Sequence, residues 1–108
     1  MAKAYNFSGI YLITNAINGK VYVGSAIDVA SRISCHKSLF KSGTHHNKHL
    51  RSAVQEYGIK NFTFELWEKC AEKNLHDRES YWIQAFDAVN RECGYNGKLE
   101  QYKGYKRI

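Results

Sequence analysis

Apolar residues along this chain fall into short groups with two different spacings. Ile10 to Ile13 and Val21 to Val23 are β-branched and aromatic runs, and each holds a tyrosine, Tyr11 or Tyr22. Asn15 to Lys20 lies between them and contains Asn-Gly, a strong hairpin signal. Gly9 and Gly24 bound the pair, at positions where backbone can bend sharply or lie close to another group. From Asp28 the spacing turns helical. Asp28 fits an N-cap, Val29, Ile33 and Phe40 form a stripe, and Ser42-Gly43 stops the helix after Lys41. Arg32, Cys35, His36 and Leu39 fall on the adjacent face of that helix. Thr44 to Lys48 reads as a polar loop. A second helix is predicted from Asn47 to Tyr57, with Leu50, Val54 and Tyr57 on one face and Gly58 at its end. Asn61 to Glu68 then alternates, Phe62, Phe64 and Leu66 facing one way, as a half-buried third strand does. A third helix is predicted from about Ala71 to Phe86, with Leu75, Trp82, Ile83 and Phe86 as its stripe. Cys93 to Asn96 reads as a turn packing back on the sheet. The order implies an α/β domain with a small antiparallel or mixed sheet between helices.

Size and charge narrow the function. At 108 residues the chain makes one domain, with a core from about 8 to 97 and a tail from 98 to 108. No run approaches the length of a membrane span. The first residues lack an apolar signal region, so a cytoplasmic protein is expected. Cys35, Cys70 and Cys93 are odd in number, far apart and without a Cys-x-x-Cys pair, which argues against zinc and for free thiols in a reducing compartment. The formal net charge of +6 suits a polyanionic partner, most simply nucleic acid. The tail adds Lys98, Lys103, Lys106 and Arg107, interleaved with Tyr102 and Tyr105. That mixture fits phosphate contact with base stacking, and fits a frayed terminus as well.

Three groups carry candidate chemistry. Arg32 and His36 are four apart, so their side chains are helix neighbours, and two basic groups there call for an anion. His45, His46 and His49 cluster, but no carboxylate is nearby and adjacent histidines diverge, so metal binding there is not favoured. Glu79 is the sharpest anomaly. It lies four after Leu75 and four before Ile83, inside an apolar stripe, where a carboxylate is costly unless paired or metal-bound. Arg78 points elsewhere on the helix, so any partner must come from another element.

Gly9-Ile10-Tyr11, Tyr22-Val23-Gly24 with Ser25-Ala26 after it, Arg32, His36, Glu79 and Asn96 together resemble the GIY-YIG nuclease family. The resemblance spans roughly residues 8 to 97 and is closest to the catalytic domains of GIY-YIG homing endonucleases. Val23 stands where the family name has isoleucine, a loss of one methylene. The resemblance implies a three-stranded antiparallel sheet flanked by helices and a metal-dependent endonuclease that hydrolyses DNA. It implies that Glu79 holds Mg²⁺ (or Mn²⁺), that Arg32 grips the scissile phosphate, and that Tyr11 or Tyr22 positions or deprotonates the attacking water. Gly9, Gly24 and Asn96 would support the site. On chemical grounds His36, with a reference pKa near 6.5, is an easier general base than a tyrosine with one near 10; the sequence leaves both open. Such endonucleases usually carry a separate DNA-binding region, so a stand-alone nuclease and the catalytic part of a longer one are both compatible. A non-cleaving nucleic-acid-binding module of the same fold is the alternative. One active centre per chain favours a monomer that cuts one strand at a time.

Overall fold

The strands run past the apolar groups that announce them. In the computed structural model, which describes residues 7–97, β1 spans Gly9–Asn15 and β2 spans Val21–Ala26. They pair antiparallel, with Tyr11 opposite Gly24 and Ile13 opposite Tyr22. The turn is closed by the Asn15 N–H donating to the Lys20 carbonyl at 2.9 Å, and Gly19 takes the positive φ of 79° it requires. β3, Phe62–Lys69, pairs antiparallel with the other side of β1, giving the order β2-β1-β3. The sheet is thus wholly antiparallel. A register shift between Ile10 and Tyr11 bends β1 beside the first tyrosine. The tail residues Lys98, Lys103, Lys106 and Arg107 lie outside the described residues.

Because β1 is central, both its faces are covered, and its run of apolar residues splits by strand parity between two cores. Tyr11 and Ile13 join Val29, Ile33, Phe40, Leu50 and Val54 on one side. These come from α1, Val29–Ser42, and α2, Lys48–Tyr57. Ile10 and Leu12 join Val21, Val23 and Ile83 on the other, under α3, Leu75–Phe86. Trp67 of β3 packs edge-on against Trp82 and Phe86 of α3, with ring centroids 5.5 and 5.6 Å away.

Capping follows the sequence. The Asp28 carboxylate accepts from the Ser31 N–H, Asn47 caps α2 through the Leu50 N–H, and Gly43 ends α1 in the left-handed region at φ 75°. Three readings change. α3 begins at Leu75 rather than Ala71, because Glu72–Asn74 forms a separate 3₁₀ turn with no side-chain cap. His36 lies on the buried face of α1 with Ile33 and Phe40, not on an adjacent polar one. Residues 44–47 form a loop, as expected, but His45 within it is fully buried and its ring stacks on Phe40 with centroids 4.3 Å apart.

After α3 the chain returns to the sheet edge. Gly94 forms a parallel bridge with Val21. The Asn96 side chain accepts from the Val23 N–H at 2.8 Å and donates to the Val23 carbonyl at 2.9 Å, as one more residue of strand would.

Candidate active site

The site forms where β2 leaves the sheet toward α1. A cleft of about 390 Å³ opens there, lined among others by Tyr11, Tyr22, Gly24, Arg32, His36 and Glu79. Gly24 is what lets groups from both faces meet. A Cβ at that position would overlap the Tyr11 phenol, so glycine allows the ring to lie against β2. Gly9 has a different task. A side chain there would strike the Glu68 carbonyl, so it permits the β1–β3 approach and does not line the cleft. Asn96 stands one step away and fixes Val23, between Tyr22 and Gly24.

Glu79 is 4 % exposed, on the α3 side of the cleft. The Ser25 hydroxyl donates to its Oε1 at 2.7 Å. Ser25 shares strand parity with Val21 and Val23, so it is a polar residue on an otherwise apolar face, which is the signal that could have drawn attention to it. Burial pushes the Glu79 carboxyl up to about 7, against the Ser25 hydrogen bond and the Arg32 charge, which both lower it. Arg32 is exposed at the rim, and its Nη1 donates to the Ser25 carbonyl at 3.5 Å. That contact uses one of five guanidinium donors.

The histidines behave differently from their reference values. Burial, then His45, Arg32 and His46, lower His36 to about 3. Burial, then His46 and Arg51, lower His45 to about 4. Both rings are therefore neutral at pH 7, and the expected pair of basic groups on α1 reduces to one cation, Arg32. The same burial moves His36 well below its reference value near 6.5. Its Nε2 lies 2.7 Å from the Tyr11 hydroxyl and its Nδ1 lies 2.7 Å from His45 Nε2, so both nitrogens are engaged. His45 drew attention only as one of a histidine cluster weighed for metal; nothing in its spacing points to a contact with His36.

Among the described residues, no three His, Cys, Asp or Glu side chains gather where they could share an ion. Among the described residues that line the cleft, Glu79 is the one carboxylate, beside the hydroxyls of Ser25, Tyr11 and Tyr22. That set fits Mg²⁺, which keeps several waters and is commonly bound through one or two carboxylates plus substrate phosphates.

Residues 7–96 match the model of the GIY-YIG catalytic domain. The chain is 37 % identical over 91 residues to Intron-associated endonuclease 1 of Enterobacteria phage T4, covering 82 % of this chain and 36 % of that protein. It is 33 % identical over 98 residues to the putative endonuclease segB of the same phage, covering 91 % of this chain and 41 % of the relative. It therefore spans only about two fifths or less of the curated relatives it matches. Among solved structures, the catalytic domain of the homing endonuclease I-TevI aligns with a TM-score of 0.77 at 31 % identity, covering 84 % of this chain and 98 % of that one. The strand pair, the cleft and the matches converge: this chain belongs to the GIY-YIG family, through its catalytic domain.

Proposed function

We propose that the domain is a Mg²⁺-dependent endonuclease that hydrolyses phosphodiester bonds in DNA. One observation carries the reading: a buried carboxylate, Glu79, shares a cleft with an exposed arginine and two tyrosines. Relatives that bear the name endonuclease support it, as does the net charge of +6. Arg32 binds the scissile phosphate, offering a planar fork to two of its oxygens and stabilising charge that grows there. When bound at Glu79, the cation supplies further polarisation of that phosphate. Tyr11 and Tyr22 hold the attacking water. His36 makes a poor free base, because burial lowers it to about 3 and both of its ring nitrogens are held. Cys35, Cys70 and Cys93 carry free thiols, which fits a reducing cytoplasm. No helix among the described residues is long and apolar enough to cross a membrane.

With one Glu79 and one Arg32 per chain, a monomer cuts one strand per encounter. Supercoiled plasmid with Mg²⁺ should give nicked circles first and linear product later, and EDTA should stop both. Linear DNA without a nicked intermediate would replace the monomer with a dimer. No cleavage with any divalent cation would overturn the nuclease reading in favour of a non-cleaving binding module.

A further inference from the structure

His45 carries no role in the reaction as described so far, yet it is fully buried, directly behind the cleft. Its carbonyl accepts from Arg51 Nη1 at 2.8 Å, and its ring is sandwiched between Phe40 and His46. Four polar groups then form a line. The backbone N–H of Asn47 meets His45 Nδ1 at 3.1 Å, His45 Nε2 meets His36 Nδ1 at 2.7 Å, and His36 Nε2 meets the Tyr11 hydroxyl at 2.7 Å.

The first member of that line fixes the direction of all the others. A backbone N–H can only donate, so His45 Nδ1 must accept. A neutral imidazole carries one proton, so that of His45 sits on Nε2 and is donated to His36 Nδ1. His36 Nδ1 is then an acceptor, its own proton sits on Nε2, and that proton is donated to Tyr11. The neutral state of both rings agrees with their burial.

We infer that His45 is a positioning residue that fixes the His36 tautomer, so that the Tyr11 oxygen receives a hydrogen bond rather than giving one to His36. Two consequences follow. The Tyr11 hydroxyl proton is directed away from His36. Once that proton has passed to solvent water in the cleft, the His36 N–H remains on the phenolate oxygen and stabilises it. The line is also closed to protons: His36 Nε2 is already protonated, and the far end is an amide that keeps its hydrogen. A proton that the Tyr11 phenolate takes from water therefore does not pass on to His36. Arg32 on α1, Tyr22 on β2 and His46 line the same cleft. Arg32 and His46 disfavour a second proton on His36, which preserves the arrangement.

The inference about hydrogen-bond direction stands on geometry; its catalytic consequence rests on the nuclease reading. Nitrogen-15 NMR of the imidazoles in the full chain near pH 7 reads the tautomers without any cleavage assay. Both His36 and His45 should be Nε2–H. His36 found as Nδ1–H, or doubly protonated, would overturn the inference even if the protein cleaves DNA. Correct tautomers in a protein that never cleaves would sink the nuclease reading alone. Two variants test the consequence. His45→Phe keeps the stacking on Phe40 but removes the donor, and should lose roughly tenfold or more in kcat at unchanged KM. His45→Gln places an amide N–H near the lost Nε2–H and should regain most of that loss. Equal rates for the two variants would contradict the role assigned to His45. If His45→Phe does not fold, a folded His45→Gln that has lost activity would contradict it too.

Discussion

Two glutamates, Glu79 on α3 and Glu68 on the β3 strand that α3 contacts, are treated in opposite ways by the cleft and the opposite edge of the sheet. Glu68, on β3, is half-exposed and accepts from Arg78 Nε at 3.0 Å and Trp82 Nε1 at 2.7 Å. Those two donors hold its carboxyl below the usual range. Glu79, next to Arg78 in sequence, faces the other way. Its partner is a neutral hydroxyl, and burial pushes it up to about 7. Among the described residues, the fold thus supplies a direct cation to the carboxylate near water and none to the buried one. A carboxylate that serves the fold has its counter-charge built in. One kept short of it has attraction left for a ligand.

The sharpest way to break this comparison is to remove the buried member. Glu79→Ala should reduce plasmid cleavage on the order of 1,000-fold, with a melting temperature no lower than that of the parent. A large fall in melting temperature would make Glu79 a structural residue like Glu68. Next in size is Arg32→Lys, expected to cost roughly 100-fold in cleavage although charge is kept, because the planar fork is lost. Near-parental cleavage by that variant would show that only charge is needed.

Stability against pH sharpens the contrast further. The folded chain keeps the Glu79 proton up to about pH 7, whereas the unfolded chain releases it near its ordinary value of 4.5. Folding stability is therefore lost as pH rises through that window. Glu79→Gln should remove the loss, leaving the variant about 3 kcal/mol more stable than the parent at pH 8 and little changed at pH 4. Chemical denaturation at the two pH values checks this, and equal differences at both would contradict it. The smallest effect belongs to the other carboxylate. Arg78→Ala should leave cleavage unchanged and lower the melting temperature only slightly, since half-exposed pairs contribute little.

Much of this was legible in the sequence, for local reasons. Both tyrosine strands, the Asp28 and Asn47 caps and the Gly43 stop follow from residue types whose preferences act within a few positions. Glu79 stood out because a charge in an apolar stripe breaks a pattern with a known cost. His36 was placed on the wrong side of its stripe because a histidine counts as polar until its partners are known. Here Tyr11 and His45 satisfy both its nitrogens and make burial affordable. Strand parity marks Ser25 as out of place, but its partner 54 positions away, like that of His45 nine positions away, is shown by no periodicity.

The central claim is that Glu79 lies buried, with no direct cationic partner among the described residues, and so stands ready for a metal ion. Carbon-13 NMR titration of its side-chain carboxyl, with and without Mg²⁺, tests that claim most directly. The account predicts a pKa near 7 in metal-free protein, falling as Mg²⁺ is added. A pKa in the ordinary carboxylate range, unmoved by Mg²⁺, would contradict it.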